Sequence, residues 1–207
     1  MGEQTSLRFS EPGTRGGARP GAGRPKGSRR SERMPHTPRP LVSRHRPHHV
    51  TVKFAKGTWN LRSQRCFAPI REALRVLTAR SGFRVVHFSV QHNHLHLVAE
   101  ASDRRAMSNG LRALLIRVAR GLNAVMGVRG RRVGDRYHEH ILKTPTEVRN
   151  ALRYVLGNRT HHLSQWGMAH LSGGTDPFSS LGPSVEALVL SPGSWLLREG
   201  WQRAGPI

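Results

Sequence analysis

Apolar and polar residues alternate along several short stretches of the chain, and this alternation predicts β-strands. Successive side chains of a strand point to opposite faces of a sheet, so a strand with one buried face repeats every second residue. The pattern occurs at residues 48–55, 83–90 and 94–100, with a shorter example within 135–142. Because only the polar segment Gln91-His92-Asn93 separates the second stretch from the third, the sequence predicts a β-hairpin there.

Three longer stretches repeat their apolar residues every three or four positions, which predicts amphipathic helices. They cover residues 65–81, 103–126 and 145–158. The third has the clearest beginning, Thr144-Pro-Thr-Glu147. Threonine is a good N-cap residue, proline fits the first helical position, and a glutamate three residues after the cap can close a capping box. Predicted strands and helices therefore alternate between residues 48 and 158.

The two ends of the chain differ from this central part in composition. Residues 1–47 are rich in Gly, Pro, Ser and Arg and have almost no large apolar residues, which predicts a disordered basic arm. We expect a catalytic domain at residues 48–163 and, where glycines and prolines interrupt the pattern again, an extension at 164–207 that packs on the domain or attaches loosely to it. In the extension, Trp195 and Trp201 either pack on the domain or stack on bases.

The chain carries 34 Lys and Arg residues against 12 Asp and Glu residues, a formal net charge of +22. A cation excess of this size favours a polyanionic partner, because each neutralised phosphate releases condensed counterions. Most of the cations are arginines, which bind phosphate bidentately and stack on bases. An acidic membrane surface would favour a basic amphipathic helix with a large apolar face, and no such helix stands out. Nucleic acid is therefore the expected partner.

Several cations stand at positions from which they can contact DNA. Arg24 and Lys26 belong to a short Gly-Arg-Pro-Lys segment that is similar to an AT-hook core, which lies in a narrow A·T minor groove. The alternative is a generic polycation that touches phosphate anywhere. Arg112 and Arg120 lie off the apolar stripe of the second predicted helix, on a face that is either solvated or follows a phosphate backbone. Arg153, in the third predicted helix, is a further candidate.

Cysteine usage and hydropathy indicate the compartment. Because Cys66 is the single cysteine, an internal disulfide and a zinc site built on cysteine pairs are both excluded. The chain has no apolar stretch long enough to span a bilayer and no N-terminal apolar core of the signal-peptide kind. We therefore expect a cytoplasmic protein without a membrane partner.

The third predicted strand carries the candidate metal ligands. His94 and His96 project from the same face of this strand, while His92 falls in the preceding turn. Two imidazoles on one face can bind a metal ion, but they can equally be polar residues of a solvated face. Tyr154 and Asn158 stand one turn apart at the edge of the third predicted helix, where a tyrosine is usually a core-boundary residue. Each motif by itself is therefore compatible with a functional site and also with ordinary surface or core-boundary residues.

Taken together, the segments His92-Asn-His-Leu-His-Leu97 and Arg153-Tyr-Val-Leu-Gly-Asn158 resemble the single-tyrosine HUH transposases, especially the REP-associated tyrosine transposases. The family signature is a Pro-Asn-His-hydrophobic-His-Leu segment followed by a helix with Tyr-hydrophobic-x-x-Asn. Here His92 stands in place of the usual proline, and Arg159 in place of the proline that often follows the asparagine. Neither departure touches an expected chemical group. The resemblance covers about residues 48–162.

The resemblance implies an α+β fold, the ferredoxin-like or RRM-like sandwich of HUH endonucleases, with an antiparallel sheet flanked by helices and the histidine strand at its centre. It implies that His94, His96 and Asn158 hold a divalent ion, Mg²⁺ or Mn²⁺. It also implies that Tyr154 attacks a DNA phosphodiester, giving a 5′-phosphotyrosine and a 3′-hydroxyl, and that the reverse reaction joins strands. The chain's other tyrosine, Tyr137, has an isoleucine four residues later, which favours Tyr154 as the nucleophile.

The same resemblance implies a partner and a setting. Relatives recognise imperfect hairpins in single-stranded DNA, so we expect a bacterial, nucleoid-associated protein; a homodimer is compatible with the resemblance, and the sequence does not decide it. Two other functions stay open: a DNA-binding protein on the same scaffold without strand transfer, and a basic RNA-binding protein without chemistry. The latter would make the spacing of the four site residues a coincidence.

Overall fold

The computed structural model describes residues 41–78, 82–165, 174–183 and 188–207, and for residues 159–165 it describes the backbone alone. Most of the predicted basic arm, including Arg24 and Lys26, therefore lies outside the described residues. Where the arm meets the domain, Pro47 is buried and its carbonyl accepts a hydrogen bond of 2.8 Å from the amide of Leu142. Val42, five residues earlier, also packs against the core, so the described end of the arm is attached to the domain.

An antiparallel sheet lies at the centre of the described fold. Its strands have the order β2-β3-β1-β4. Their bounds are β1 His48–Lys53, β2 Phe83–Val90, β3 His94–Ala101 and β4 His138–Ile141. The predicted hairpin of β2 and β3 is present, and the amide of Gln91 donates to the carbonyl of His94 across its turn. Because β1 pairs with the other side of β3, the histidine strand is central.

The pairing of β1 with β3 decides which side chains share a face of the sheet. Thr51 lies opposite His96, and Lys53 lies opposite His94. Since side chains alternate along a strand, His49 projects from the same face as Thr51 and Lys53. The residues between them are buried and apolar. A row of polar side chains therefore crosses two neighbouring strands on one face.

Helices cover both faces of this sheet, which confirms the predicted fold class of an antiparallel sheet flanked by helices. They are α1 Gln64–Leu77, α2 Arg104–Met126 and α3 Pro145–Gln165. One core joins Leu97 of β3 to residues of α1 and α2, among them Leu114. A second core joins Val98 of β3 to residues of α3, among them Leu152. Because neighbouring residues of a strand point to opposite faces, the sheet separates the two cores. None of the described helices is long and apolar enough to cross a membrane.

The helices begin at the capping residues that their sequences supply. The carboxylate of Asp103 accepts from the amide of Ala106 at the start of α2. At the start of α3 the predicted capping box is present, since Glu147 N donates to Thr144 Oγ1 at 3.2 Å and Thr144 N donates to Glu147 Oε2 at 3.1 Å. The third helix continues beyond its predicted end at Asn158 to residue 165. Its last turns are mostly polar, so apolar spacing gave no signal for them.

Three described residues of the C-terminal extension, Phe178, Ser180 and Leu190, bond to the outer edge of β2. Phe178 accepts a backbone hydrogen bond from Val90, Ser180 donates one to Phe88, and Leu190 donates one to Val85, all between 2.8 and 2.9 Å. Edge strands expose unpaired backbone groups unless another segment covers them. The extension satisfies several of these groups.

A partly buried ion pair fastens the extension to the loop between β1 and α1. Arg62 binds both carboxylate oxygens of Asp176, at 2.9 and 2.7 Å, and donates to the carbonyl of Val90 at 2.8 Å. Its guanidinium carbon also lies 4.7 Å from the ring centroid of Phe178. The segment around Asp176 is therefore held by side-chain contacts as well as by the backbone.

The last part of the chain forms α4 Trp195–Arg198 and a 3₁₀-helix, Gly200–Ala204, both of which pack against α3. The two tryptophans there differ in environment. Trp201 packs against the second core, whereas Trp195 is exposed and carries the guanidinium of Arg203 at 4.9 Å from its ring centroid.

Candidate active site

The two histidines of β3 and the tyrosine of α3 meet in one open pocket, on the face of the sheet that α3 covers. The pocket has a volume of about 490 Å³. Its lining comes from β1, the hairpin turn, β3 and α3: His49, Thr51, Lys53, Asn93, His94, His96 and Tyr154. The fold therefore brings together residues from two distant sequence motifs.

The aromatic rings of this pocket contact one another edge to face. The ring centroids of His96 and Tyr154 are 5.0 Å apart and their planes are inclined by 87°. His94 and His96 show the same arrangement at 4.7 Å and 89°. His96 is buried, whereas the Tyr154 side chain is 46% exposed. The tyrosine is thus open to a substrate while a buried histidine supports its ring.

The hydrogen bond of His94 indicates which of its ring nitrogens carries the proton. His94 Nδ1 lies 2.8 Å from Asn93 Oδ1, and an amide oxygen can only accept. The Nδ1 atom is therefore the donor, and the lone pair of the neutral ring is on Nε2. A metal-binding histidine commonly has this arrangement, in which a second residue fixes the tautomer.

His96 is oriented in a similar way by two residues of β1. Its Nδ1 lies 3.2 Å from His49 Nε2 and 3.1 Å from Thr51 Oγ1. Burial, together with the nearby His138 and His140, lowers the pKa of His49 from 6.5 to about 4. His49 is therefore neutral near pH 7 and can accept a hydrogen bond. With Nδ1 of His96 as the donor, the lone pair of this ring also lies on Nε2.

Asn158 lies one turn after Tyr154 on α3, so the two side chains project from the same side of the helix. Asn158 is only 1% exposed, and neither atom of its amide group has a hydrogen-bond partner among the described residues. A buried amide without a partner costs about 1–3 kcal/mol, so it is uncommon in a folded protein. An amide oxygen that binds a ligand is one way to recover this cost.

The donor set of His94, His96 and Asn158 fits a divalent ion, with two imidazole nitrogens and one amide oxygen. Within the described ranges, no cluster of three or more His, Cys, Asp or Glu side chains is arranged to hold a metal ion. A metal site at the histidine pair therefore needs a ligand of another kind. The buried amide of Asn158 is of that kind.

Tyr137 has a different environment from Tyr154. It precedes β4 and packs against the core that α1 and α2 form with the sheet. That core lies on the face opposite the one that α3 covers. The two tyrosines of the chain are therefore separated by the sheet, and Tyr154 is the one that lines the histidine pocket.

The cations predicted to bind DNA are distributed over both sides of the sheet. Arg153 is exposed on α3 and adjoins Tyr154 in the chain. Arg112 and Arg120 are exposed on α2, which covers the other face. Of these three residues, only Arg153 shares a helix with a pocket residue.

Three residues of β1 line the pocket without having been recognised in the sequence: His49, Thr51 and Lys53. They alternate along the first predicted strand as its polar positions, which is the signal that the sequence offered. Alternation places them on one face, but only the register with β3 shows that this face is the one with the histidines.

No protein-family model matches the chain, and no curated protein matches its sequence. Among solved structures, the fold is similar to that of a REP-associated tyrosine transposase bound to a REP hairpin, with a TM-score of 0.56. The two chains are 17% identical, and the alignment covers 78% of this chain and 92% of the other. At this level of identity the similarity establishes a relationship of folds.

Proposed function

We propose that the protein is a transposase of the HUH type, a metal-dependent endonuclease and strand transferase for single-stranded DNA that contains hairpins. The observation that carries this proposal is the contact of the exposed ring of Tyr154 with the buried ring of His96 in an open pocket. The fold similarity to a transposase bound to a DNA hairpin supports the choice of substrate. The net charge of +22 is consistent with a nucleic-acid partner.

Tyr154 is the proposed nucleophile. Its oxygen forms a bond to phosphorus while the bond from phosphorus to the 3′-oxygen of the preceding nucleotide breaks. The tyrosine gives up its phenolic proton and the departing 3′-oxygen takes one up, which leaves a 5′-phosphotyrosine and a free 3′-hydroxyl. Because the covalent link conserves the energy of the broken bond, attack by another 3′-hydroxyl rejoins DNA without ATP. The exposure of Tyr154 supports this role, since the phosphodiester must reach its oxygen.

His94, His96 and Asn158 are the proposed ligands of Mg²⁺ or Mn²⁺. When bound, such an ion supplies Lewis-acid polarisation of the phosphodiester. Asn93 bonds to Nδ1 of His94, and His49 and Thr51 bond to Nδ1 of His96. These contacts favour, in both rings, the tautomer whose Nε2 can bind a metal ion. Lys53, which also lines the pocket, adds positive charge for the phosphate oxygens.

The remaining cations have an accessory role in this proposal. Arg153 adjoins the nucleophile and is suited to the phosphates that flank the cleaved bond. Arg112 and Arg120 lie across the sheet, so a contact from them requires DNA that extends around the domain. Arg24 and Lys26 of the N-terminal arm are proposed to bind duplex or phosphate away from the pocket.

The test is a covalent adduct. Hairpin oligonucleotides with single-stranded flanks are labelled at the 3′ end and incubated with the protein and Mn²⁺ or Mg²⁺, and a denaturing gel is run. Because a 5′-phosphotyrosine retains the DNA on the 3′ side of the break, the adduct should carry a 3′ label and lack a 5′ label. Tyr154→Phe should abolish it.

Tyr137→Phe is the matched control, because the chain has only two tyrosines. This variant should form the adduct as the parent does. An adduct that survives Tyr154→Phe and is lost in Tyr137→Phe would reverse the assignment. Hairpin binding without any adduct, with either ion, would favour a DNA-binding protein that lacks strand transfer.

A further inference from the structure

Trp59 projects from the loop between β1 and α1, at the end of the sheet where Lys53 and Asn93 line the pocket. Its side chain is 44% exposed, and the guanidinium carbon of Arg65 lies 5.4 Å from its ring centroid. Single-strand binding proteins use large exposed aromatic rings, often with an arginine beside them, as surfaces on which bases stack. The ring of Trp59 is similar to these. Single exposed aromatics are also common without a function, so the surroundings of the ring decide its meaning.

The loop that carries Trp59 is fixed to the hairpin turn beside the pocket. The amide of Leu61 donates to the carbonyl of His92 at 3.0 Å, and the amide of Phe54 donates to the carbonyl of Asn93 at 2.9 Å. Leu61 is fully buried, and Arg62 is fastened by its contacts with Asp176. A ring on a loop held in this way can receive a base without first being ordered.

The surface around this loop is cationic. Residues 41–71 contain seven Arg and Lys residues and no Asp or Glu. Residues 127–134 also lack acidic residues, and they join this surface because the amide of Ala55 donates to the carbonyl of Arg132 at 2.7 Å. Asp176 is an acid on this side, but both of its oxygens bind Arg62. Charge complementarity therefore favours a polyanion beside the ring.

We propose that the exposed face of Trp59 stacks on one unpaired base of the DNA strand whose phosphodiester enters the pocket. The cations around the loop bind the backbone of that strand, and the ring fixes its register relative to Tyr154. This inference rests on the proposed function, because it takes the single-stranded substrate from it. It adds a contact that selects an unpaired nucleotide, because both faces of a base inside a duplex are covered by the neighbouring bases.

Trp195 provides a matched control for Trp59. It is 41% exposed, and the guanidinium carbon of Arg203 lies 4.9 Å from its ring centroid, so both tryptophans are exposed rings beside an arginine. Trp195 follows Gly193 and Ser194, whose amides donate to Glu100 near the end of β3, whereas His94 begins that strand. The control residue is therefore beside the far end of the histidine strand.

The first experiment measures binding of a hairpin oligonucleotide with a single-stranded flank, using Tyr154→Phe as the background to prevent cleavage. Trp59→Leu should weaken binding about tenfold, which is the usual size of one base-stacking contact. Trp59→Phe should retain most of the affinity, and Trp195→Leu should retain all of it. Equal loss in Trp59→Leu and Trp195→Leu, or an equal loss on fully duplex DNA, would overturn the inference.

The second experiment removes one base of the flank at a time. At one position, an abasic site should weaken binding to the parent about tenfold and leave binding to Trp59→Leu nearly unchanged, because the ring and the base act as a pair. If no position shows this coupling, Trp59 does not stack on the strand. If the parent binds no single-stranded DNA at all, the proposed function fails instead. If the adduct forms normally and Trp59→Leu binds as tightly as the parent, only the stacking inference fails.

Discussion

The ring of Tyr154 stands edge-on against the ring of His96, with centroids 5.0 Å apart and planes inclined by 87°. This separation and angle are favourable for an aromatic pair. Since His96 is buried and bonded through Nδ1 to β1, it gives the exposed tyrosine a fixed support. The proposed nucleophile and a proposed metal ligand are therefore positioned by one contact.

Asn158→Leu should change stability and metal binding in opposite directions. The amide is buried without a partner among the described residues, so a leucine of similar size removes a desolvation cost. We expect the free energy of unfolding of the metal-free protein to rise by about 1–2 kcal/mol. Affinity for Mn²⁺ should fall, because the oxygen ligand is gone. Urea unfolding in a chelator and titration of free Mn²⁺ by electron paramagnetic resonance measure the two quantities.

A decrease in the stability of Asn158→Leu would contradict this prediction. If Asn158→Leu lowers the free energy of unfolding, the amide makes a stabilising contact within the folded protein and is not available to bind a ligand. Asn158→Asp serves as the companion variant, since it keeps an oxygen donor. It should retain Mn²⁺ binding while destabilising the metal-free protein, because it buries a charge.

His49→Leu should lower the affinity for Mn²⁺ about tenfold, the usual effect of removing a residue that orients a ligand. His49→Gln should lower it less, because its amide can still meet Nδ1 of His96. The ¹⁵N chemical shifts of His96 in the metal-free protein provide an independent readout, and the share of the Nε2 lone-pair tautomer should fall in the leucine variant, in which Thr51 still contacts Nδ1. His87→Gln is the control, since His87 is bonded to Ser180. An unchanged tautomer in His49→Leu would contradict the role of His49.

Glu139 should make the protein sensitive to acid. Although burial by itself raises the pKa of this carboxyl group, hydrogen bonds from His48 and Arg104 lower it from 4.5 to about 2. The unfolded chain then binds the proton at higher pH than the folded chain does, so the free energy of unfolding falls as the pH falls from about 4.5 towards 2. The loss is on the order of 2 kcal/mol after allowance for solvent screening.

The measurement compares urea unfolding of the parent and of Glu139→Gln at several pH values. At pH 6 the variant should be less stable, because Arg104 and His48 lose a charged partner. The difference should shrink as the pH falls below about 4.5, and the two proteins should converge only as the pH reaches about 2. A constant difference across this range would show that the titration of Glu139 does not contribute.

Asp176→Asn should lower the free energy of unfolding by about 2–3 kcal/mol, because it breaks the bidentate pair of a buried carboxylate with Arg62. The exposed pair of Arg75 and Glu72 on α1 has comparable geometry, and Glu72→Gln should leave the free energy of unfolding nearly unchanged, because water screens an exposed ion pair. Limited proteolysis should cut the C-terminal extension of Asp176→Asn faster than that of the parent. Equal effects of the two substitutions would mean that the pair with Asp176 does not fasten the extension.

The sequence predicted the elements that depend on local spacing. The hairpin of β2 and β3, the capping box of α3 and the apolar stripe of α2 each follow from residues close together in the chain, and the structure has all three. The end of α3 differs from the prediction because its last turns carry no apolar stripe. The contacts of the C-terminal extension do not follow from local spacing, since its bonds to β2 link residues about 90 to 105 positions apart.

The amino-acid sequence by itself determined the candidate chemistry. Two histidines on one face of a strand, and a tyrosine with an asparagine one turn later, are fixed by the periods of strand and helix. Only the tertiary structure decided that the two motifs face each other, because this depends on which face of the sheet α3 covers. It also decided that His49, Thr51 and Lys53 belong to the pocket, since strand register is set by long-range pairing and by burial of the opposite face.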